Sequence, residues 1–500
     1  LTEEGEGEFS DETKSRINPF DWNSKTAGFG EIMNPSQSPL DKGGSKGGFD
    51  CVIGNPPYVR IQMLPKEQVD YFNRKYKSAT GNYDIYALFV EKALHLLKES
   101  GIHGYIMPHK FFQASYGEGL RKLIAESRTL TEIVNFRDNQ IFEGASTYTC
   151  LLFIEKIKNN TFKFADVARL KNPVAQLQII LKTESYKDDD MQVGMISKKE
   201  VTVNSWNFSI GERANLTKKI SRTKTCLKDV CTRIYQGVIT SADPIFLFKD
   251  YEYGKSKARV FSKALNENIQ IETAILRKVI RSGDIGRYFA EPKALVLFPY
   301  KIADDYAVLY THKELEELFP LALTYLKENK RTLEAREGGK FKGQDWYRFG
   351  RSQNIAMWER PKILVPYMIT RLSAYMDENE HYYFVNVTTG GYGLIVNENI
   401  ISTRYLTALL NSKLLDFYLK QITTNFRGGY FAANKQYIEK LPIRTIDFNN
   451  PAEKATHDKL VSLVDRILEL HKKKNSLPPS AEREKIEREI AVTDEKIDEI

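Results

Sequence analysis

Asn55, Pro56, Pro57 and Tyr58 combine groups that could act together on a planar base that carries an amino group. An Asn side-chain oxygen and a neighbouring Pro carbonyl can both accept hydrogen bonds from one exocyclic NH₂ group. Such bonds draw the nitrogen lone pair out of conjugation with the ring, so the amine becomes a usable nucleophile. A Tyr ring can stack on the base, a contact worth roughly 1–3 kcal/mol where aromatic side chains hold nucleobases. These four residues are therefore predicted to be catalytic.

The elements around the tetrapeptide must hold it at a fixed place. Residues 49–54 form an apolar stretch of strand length, which predicts a buried strand. Two prolines follow closely, and proline cannot continue a sheet ladder because it has no N–H group. We therefore expect a rigid loop at the carboxyl end of a strand, where open α/β sheets bind their ligands.

In this setting the tetrapeptide resembles motif IV of the amino-methyltransferases, and most of all that of the gamma-class N6-adenine DNA methyltransferases. Protein-glutamine methyltransferases and some RNA methyltransferases share the motif, so it indicates methyl transfer to an amine or amide more strongly than it indicates the substrate. The resemblance implies S-adenosylmethionine as the cofactor, with Asn55, Asp84 and Tyr86 beside it. It also implies that Phe142 packs with Tyr58 against a flipped base.

Downstream of the loop, strand and helix patterns alternate, which is typical of a parallel sheet with crossover helices. The predicted helices are 84–99 and 117–126, and the predicted strands are 103–108, 129–136 and 148–155. This order fits an α/β fold, namely the second half of a class I (Rossmann-like) methyltransferase sheet with its final antiparallel hairpin. The predicted layout is a flexible connector at 1–48, the catalytic half of the methyltransferase domain at 49–160 and a linker at 161–205.

Two features that the resemblance requires are not recognised in the sequence before residue 49. A methyltransferase of this class needs a Gly-rich loop after its first strand and an acidic residue that binds the ribose hydroxyls. The Gly-rich runs at 5–7 and 43–48 lack a preceding apolar strand and a following helix. We therefore expect the chain to need a further amino-terminal methyltransferase segment, on the same or a separate chain, and to be inactive alone.

The second half of the sequence differs in character. Residues 206–445 resemble the TaqI-like target-recognition domain found at the carboxyl end of gamma-class and type IIG enzymes, an α+β domain, through Gly turns and the Leu-Asn-Ser-Lys and Leu-Pro-Ile signatures. Basic and aromatic residues interleave at 346–351 and 425–431, which favours a DNA partner. The predicted DNA-binding residues are Arg348, Arg351, Arg427 and Lys435. Residues 452–500 predict a helical hairpin that packs on this domain.

Composition excludes several classes of protein. The formal net charge of +8 is compatible with a polyanionic partner such as double-stranded DNA but does not demonstrate one. Four cysteines without a CxxC pair and seven scattered histidines support neither a metal site nor a disulfide framework. No apolar run approaches the ~18 residues that a membrane helix needs, so we expect a cytoplasmic protein without membrane contact.

The sequence thus predicts a site-specific, adenine-specific DNA methyltransferase that belongs to a restriction-modification or phage-defence system. Two alternatives remain. One is a DNA-specificity module that binds without reacting. The other keeps the chemistry but acts on RNA or on protein glutamine, which the large domain after residue 200 disfavours because a glutamine enzyme does not need so large a sequence-reading surface.

Overall fold

The computed structural model describes residues 48–142, 147–303, 306–351, 353–386, 388–423, 425–426 and 428–500. The chain divides into two compact units, and the boundary lies between Leu216 and Thr217. The predicted connector at 1–48 lies outside the described residues apart from Gly48, and so does Arg427.

The described residues of the first unit form one seven-stranded sheet with the order β1-β2-β4-β3-β5-β7-β6. Strand β1 is parallel to β2, and β3 is parallel to β5, whereas β4 runs antiparallel between β2 and β3. This topology confirms an α/β fold with an antiparallel hairpin. The strands are β1 (Phe49–Gly54), β2 (Leu97–Pro108), β3 (Leu130–Asn135), β4 (Thr149–Glu155), β5 (Thr161–Val167), β6 (Tyr186–Lys187) and β7 (Met191–Ser197).

Helices cover the sheet of the first unit and form its core with it. The side chains of α2 and α3 that face inward pack against Met107 of β2 and Leu152 of β4, all of them fully or nearly fully buried. The predicted helix 84–99 ends at Leu96, because Leu97 is already extended and opens a long β2. The helices are α1 (Lys66–Lys75), α2 (Tyr86–Leu96), α3 (Glu118–Ser127), α4 (Pro173–Lys182) and α5 (Glu212–Ile220), the last of which crosses the unit boundary.

Strand β1 is not the buried strand that its apolar sequence predicts. Ile53 is 77% exposed, and Cys51 is exposed as well. Among the described residues, β1 pairs only with β2 and forms the edge of the sheet. Burial of a strand depends on the neighbours that cover its faces and edge, which the strand's own composition does not report.

The prediction of a linker at 161–205 is wrong. Strands β5, β6 and β7 extend the sheet there, and α4 lies between β5 and β6. Charged residues suggested a solvated connector, but in β5 they alternate with the buried Phe162 and Phe164. Lys163, between these two, pairs with Glu132 of β3 at 3.1 Å, so the charge is accommodated within the sheet.

Trp206 belongs to the first unit rather than to the recognition domain, which was predicted to begin there. Its ring is 1% exposed and lies 5.6 Å from Phe111 and 5.8 Å from Phe112 between ring centroids. An aromatic residue after a polar stretch gives no sign of the core to which it belongs. The second unit therefore begins after Leu216.

In the part of the second unit that the structure describes there are six small sheets and two hydrophobic cores. Antiparallel pairing dominates, and the sheets are β10-β11-β12, β22-β13-β16-β9, β14-β15, β17-β18, β21-β19-β23-β8 and β20-β25-β24. The strands are β8 (Cys231–Gln236), β9 (Leu247–Phe248), β10 (Tyr251–Glu252), β11 (Lys257–Ser262), β12 (Glu267–Glu272), β13 (Leu276–Ile280), β14 (Ile285–Gly286), β15 (Phe289–Ala290), β16 (Ala294–Leu297), β17 (Tyr300–Ala303), β18 (Tyr306–Leu309), β19 (Lys362–Pro366), β20 (Met368–Ile369), β21 (Tyr375–Asp377), β22 (Tyr383–Phe384), β23 (Gly391–Val396), β24 (Asn425–Phe426) and β25 (Tyr430–Ala432).

Most helices of the second unit are short. The helical stretch Thr403–Ile422 is interrupted at Ser412, whose hydroxyl accepts a hydrogen bond from the backbone N–H of Leu415 and so begins a new helix. The helices are α6 (Leu227–Val230), α7 (Asp243–Phe246), α8 (His312–Leu318), α9 (Pro320–Glu328), α10 (Lys330–Glu334), α11 (Arg336–Gly339), α12 (Thr403–Asn411), α13 (Lys413–Ile422), α14 (Lys435–Ile438), α15 (Pro451–Ser476) and α16 (Ala481–Asp498).

The last two helices, α15 and α16, form the helical hairpin expected at 452–500. Ion pairs from Arg466 to Glu489 and from Lys473 to Glu482 connect them, and the opposite order of the partners along the two helices shows that they are antiparallel. Apolar residues of both helices join the core that contains Tyr405 of α12. The hairpin therefore packs on the second unit, as the sequence predicts.

Glu91 holds the loop between α1 and α2. It is 2% exposed, and its two carboxylate oxygens accept hydrogen bonds from the backbone N–H groups of Lys77 (3.1 Å) and Ser78 (2.7 Å). A buried donor that loses its acceptor costs about 1–3 kcal/mol. The loop therefore depends on a side chain from the following helix.

We expect Glu91→Ala to destabilise this loop because it leaves two backbone N–H groups without their acceptor. Hydrogen–deuterium exchange should speed up at least tenfold in the peptide that contains Lys77 and Ser78, in keeping with a loss of about 1–3 kcal/mol. Glu126→Ala is the matched control, since its carboxylate is 67% exposed and only contacts Lys122 at 4.0 Å. Equal exchange in the two variants would contradict the role of Glu91.

Candidate active site

The Asn55 loop follows the carboxyl end of a parallel strand. The last residue of β1, Gly54, pairs with Tyr105 of β2, so the sheet ladder continues up to the tetrapeptide. Pro56 is buried, whereas Asn55 and Pro57 are exposed. The prolines fix the backbone dihedral φ and add no N–H donor. The Asn55 amide is therefore presented to solvent from a backbone of restricted conformation.

Tyr58 is held by two contacts. Its hydroxyl donates a hydrogen bond to the carbonyl of Ile106 in β2 (3.2 Å), and its ring meets the edge of Tyr86 with centroids 6.5 Å apart at 84°. Burial, with a smaller contribution from Cys150, raises the pKa of Tyr58 to about 12. The hydroxyl therefore stays neutral at physiological pH, and the ring orientation is set before any ligand binds.

A second segment runs beside the loop and brings Asp84 to it. The backbone N–H of Ile85 donates to the carbonyl of Val59 (2.9 Å), and that of Ile61 donates to the carbonyl of Tyr83 (3.2 Å). These bonds place Asp84 opposite Arg60. Burial raises the pKa of the Asp84 carboxyl, and the nearby cation of Arg60 opposes that shift. Asp84 therefore lies close to the candidate catalytic loop.

Tyr86 lies in the core of the first unit, where its ring contacts that of Tyr58. It is fully buried, its hydroxyl is 3.3 Å from that of Tyr116, and its ring meets the edge of Phe111 at 6.4 Å. Burial raises the pKa of Tyr86 well above its usual value, so its hydroxyl is neutral. In this position Tyr86 supports Tyr58, whereas its predicted contact with the cofactor stays a prediction.

Arg121, which the sequence did not single out, fixes the loop after β2. This residue is 3% exposed, and its guanidinium donates to the carbonyls of Phe111 (2.6 Å), Ala114 (2.8 Å) and Val203 (2.9 Å). The loop carries Tyr116, the partner of Tyr86. An Arg on an amphipathic helix resembles any solvated charge in sequence, so no signal in the sequence could have identified this role.

Polar residues follow the carboxyl ends of the neighbouring parallel strands. His109, after β2, has its Nδ1 2.7 Å from Oδ1 of Asn135, which ends β3. Asn135 also accepts a hydrogen bond from the backbone N–H of Arg137 (3.2 Å), whose guanidinium pairs with Asp166 of β5. Burial lowers the pKa of His109, so the ring is neutral and its N–H donates to Asn135. This network fixes the start of the loop that leads to Phe142.

Phe142 lies at the end of that loop. It is half-buried and directly precedes residues 143–146, which lie outside the described residues. Asn139 anchors the loop by donating from Nδ2 to the carbonyls of Phe136 (2.8 Å) and Val167 (3.0 Å). The packing of Phe142 against a flipped base stays a prediction.

The predicted DNA-binding residues of the second unit make local contacts. Arg348 lies over the Phe341 ring at 4.4 Å and pairs with Asp345, and Arg351 pairs with Glu337 at 2.9 Å. The Nζ of Lys435 donates to the carbonyl of Ile234 at 3.0 Å, while much of that side chain is exposed. The aromatic residues that alternate with the two arginines, Trp346, Tyr347 and Phe349, are core residues and at most 2% exposed. The basic and aromatic alternation at 346–351 therefore reflects packing rather than a stacking surface.

Among the described residues, no group of three or more His, Cys, Asp or Glu side chains could hold a metal ion. Within the same part of the chain, no helix is both long enough and apolar enough to cross a membrane.

Comparison with known families defines the class of protein. Residues 2–142 match the family described as Eco57I restriction-modification methylase, and residues 321–443 match the TaqI-like C-terminal specificity domain. The chain thus joins an Eco57I-like restriction-modification methylase region to a TaqI-like specificity domain. This is the combination that the sequence resemblance predicted, and its relatives are type II methyltransferases.

Among individual relatives, the chain is 29% identical over 471 residues to the type II restriction enzyme and methyltransferase RM.Eco57I of Escherichia coli. That match covers 90% of this chain and 45% of the enzyme, so the chain spans about half the length of this relative. It is 24% identical to the type II methyltransferase M.XhoI of Xanthomonas vasicola, over 83% of this chain and 72% of that protein.

A solved structure shares the fold. The type IIL restriction-modification enzyme MmeI, determined in complex with DNA, superposes with a TM-score of 0.55 at 12% identity. The superposition covers 90% of this chain and 53% of MmeI. The arrangement of elements is therefore one that a restriction-modification enzyme also adopts.

Substitutions at Tyr58 should separate its ring from its hydroxyl. We expect Tyr58→Phe to keep most of the methyl-transfer rate of the complete enzyme, since the ring stays against Tyr86 and only the hydrogen bond to Ile106 is lost. Tyr58→Ala removes the stacking surface and should lower the rate by about ten- to a hundredfold, in line with roughly 1–3 kcal/mol per stacked base. The measurement is transfer of tritiated methyl groups to DNA. An equal loss of methyl-transfer rate in both variants would mean that the reaction depends on the Tyr58 hydroxyl rather than on its ring.

Proposed function

We propose that this chain carries the catalytic loop and the specificity domain of a DNA methyltransferase that transfers a methyl group from S-adenosylmethionine to N6 of adenine. The enzyme would act in the cytoplasm as part of a restriction-modification or phage-defence system. The observation that carries the proposal is the exposed Asn55 amide, which follows a parallel strand on a proline-restricted loop next to a fixed Tyr58.

Asn55 and Pro56 would act on the amino group of the base. The Asn55 side-chain oxygen and the Pro56 carbonyl each accept one N–H of the amine, and the nitrogen lone pair is then available for attack. As the methyl group is transferred, positive charge develops on this nitrogen, and both acceptors stabilise it more than they stabilise the neutral amine. Interactions that strengthen in the transition state raise the rate of the chemical step.

The described residues fit one side of a site for S-adenosylmethionine. The exposed amide of Asn55 and the carboxylate of Asp84 lie on two segments joined by backbone hydrogen bonds, and both can bind donors of a charged, polar ligand. We propose that these two residues hold the cofactor, with Tyr86 in support. When bound, the cofactor supplies an electrophilic methyl group.

Base flipping would bring adenine to this loop. Inside a duplex the amino group is stacked and paired, and extrusion costs a few kcal/mol. The ring of Tyr58 offsets part of this cost by stacking on the extruded base, and Phe142 is proposed as its partner. Because Tyr58 is already fixed by Ile106 and Tyr86, little conformational entropy is lost when the base arrives.

The exposed edge of β1 supports the proposal that further strands of the methyltransferase sheet complete the site. Among the described residues the outer edge of β1 has no pairing strand, and such an edge with an exposed Ile53 is a surface to which another strand can add. We propose that a further amino-terminal methyltransferase segment, on the same or a separate chain, supplies these strands together with the Gly-rich cofactor loop. The amino-terminal family match, which begins at residue 2, is compatible with this proposal.

Two other functions are less well supported. A non-catalytic DNA-specificity module would not need an Asn amide and a fixed Tyr next to each other at a strand end. An RNA or protein-glutamine methyltransferase could use the same loop, but the specificity-domain match at 321–443 favours DNA. Methylation assays with DNA, RNA and protein substrates distinguish the three.

We expect Asn55→Ala to abolish methyl transfer by the complete enzyme, with a loss of at least a hundredfold, while affinity for DNA changes less than threefold. The reason is that the lost acceptor acts mainly on the transition state. Asn449→Ala, an exposed Asn in the second unit, is the control and should behave as wild type. Near-normal methyl transfer by the Asn55 variant would exclude the proposed catalytic role of Asn55.

Residues 1–500 alone are expected to transfer no methyl group, because no Gly-rich cofactor loop is recognised in their sequence before residue 49 and the proposed further segment is needed to supply it. Addition of the upstream polypeptide, either fused or as a separate chain, should restore transfer at one defined DNA sequence. A tritiated-methyl assay with and without that polypeptide tests this. Robust transfer by the 500 residues alone would show that the cofactor motifs are placed wrongly.

A further inference from the structure

One face of the small sheet β10-β11-β12 carries side chains suited to DNA bases. The sheet is antiparallel, and residues that pair directly across it lie on the same face. Arg259 of β11 pairs with Gln270 of β12 on one side and with Glu252 of β10 on the other. Phe261 pairs with Asn268. All of these except the half-buried Phe261 are exposed, so guanidinium and amide groups dominate the face.

The opposite face of the sheet anchors it in the core. Ala258, Val260 and Ile271 are fully buried and belong to the first hydrophobic core of the second unit. The exposed side chains therefore stand on a backbone that is fixed from behind. Hydrogen-bonding groups that are held in place can discriminate between ligands by geometry, and little conformational entropy is lost when a ligand binds.

A basic cavity borders the same face. It has a volume of about 610 Å³ and is lined by Phe261, which also lies on the sheet face, together with Lys249, Lys263, Asn266 and Arg281. The acidic Asp243 and Asp250 line it as well. The segment from Lys249 to Arg281 contains eight Lys and Arg residues against four Asp and Glu residues, an excess that equals half of the chain's net charge of +8. Three of these cations, Arg277, Lys278 and Arg281, pair with Glu359, Glu380 and Asp284 outside the segment, so the charge that can attract a polyanion comes from the lysines at 249–263 and from Arg259.

We propose that the face of β11 and β12 reads base edges in the major groove of double-stranded DNA, while Lys249 and Lys263 contact the phosphate backbone. This inference rests on the proposed function and assigns the specificity surface within it. Both family matches, at 2–142 and 321–443, lie outside this segment, so neither assigns it a role.

Geometry and chemistry both favour double-stranded DNA as the ligand of this face. Neighbouring strands are about 4.8 Å apart, and a two-stranded ribbon fits a major groove about 12 Å wide. Arg pairs in a bidentate manner with guanine, and Asn and Gln pair with adenine. Arg259 is therefore assigned to a G·C pair, and Asn268 and Gln270 are assigned to A·T pairs. The lysines at the cavity would add affinity without sequence preference.

The test uses the complete enzyme, including the upstream polypeptide. The sequence methylated by the wild type is first identified by sequencing methylated DNA. Binding is then measured by fluorescence anisotropy, with the recognition duplex and with duplexes that each carry one substituted base pair. Arg259→Ala is expected to weaken binding to the recognition duplex by roughly ten- to a hundredfold and to remove the preference at one G·C position.

Further variants separate base reading from charge. Arg259→Lys keeps the charge but not the two parallel donors, so it should lose the same preference. Lys249→Ala and Lys263→Ala should weaken binding to every duplex alike and each reduce the slope of log K against log salt by about one. Arg488→Ala on α16 removes an exposed Arg elsewhere in the unit and should leave both affinity and preference unchanged.

Thermal denaturation of each variant confirms folding, which these exposed positions should not disturb. The inference is overturned if Arg259→Ala, Asn268→Ala and Gln270→Ala all keep the wild-type preference at every base pair. It is also overturned if Arg488→Ala has the same effect as Arg259→Ala. A wild-type enzyme that methylates a defined sequence while these variants behave normally refutes this inference alone. A wild-type enzyme that neither methylates nor binds DNA refutes the proposed function and this inference together.

Discussion

The candidate site depends on the short backbone contact between residues 59–61 and 83–85. Two hydrogen bonds, from Ile85 to Val59 and from Ile61 to Tyr83, join a loop that leaves a strand to the segment that opens the next helix. Without them, Asp84 would have no fixed relation to Asn55, and Tyr86 would not lie beneath Tyr58. Because backbone groups make the contact, it sets the relative position of the two segments largely irrespective of their side chains. The chemistry of the site is thus built on main-chain geometry.

Burial keeps several titratable groups near this contact neutral. Burial holds Tyr58 and Tyr86 as neutral hydroxyls and His109 as a neutral imidazole. Asp84, with Arg60 and Lys110 near it, lies on the segment that is hydrogen-bonded to the loop. Neutral aromatic side chains suit an uncharged base, and the Asp84 carboxylate suits a cationic ligand. The two halves of the site therefore differ in the charge that they favour.

The sequence predicts those parts of the structure that local chemistry decides. The two prolines and the apolar run before them identified β1 and its loop, and the helix and strand periods identified most elements as far as Glu155. Properties set by distant neighbours were not predictable in this way. The exposure of Ile53, the insertion of β5 and β7 into the sheet and the carbonyl contacts of Arg121 all depend on segments far along the chain. The face that carries Arg259 and Gln270 also needed the register of two strands, which no single stretch of sequence contains.

Exposed and buried side chains alternate along β11, and this alternation affects how the protein can evolve. Residues that point into the core, such as Ala258 and Val260, are separate from those that point outward, such as Arg259. Outward substitutions alter hydrogen-bonding capacity without creating cavities or strain, so they leave the free energy of folding nearly constant. If this face reads DNA as proposed, single replacements on the hairpin would change the recognition sequence while the scaffold stays intact.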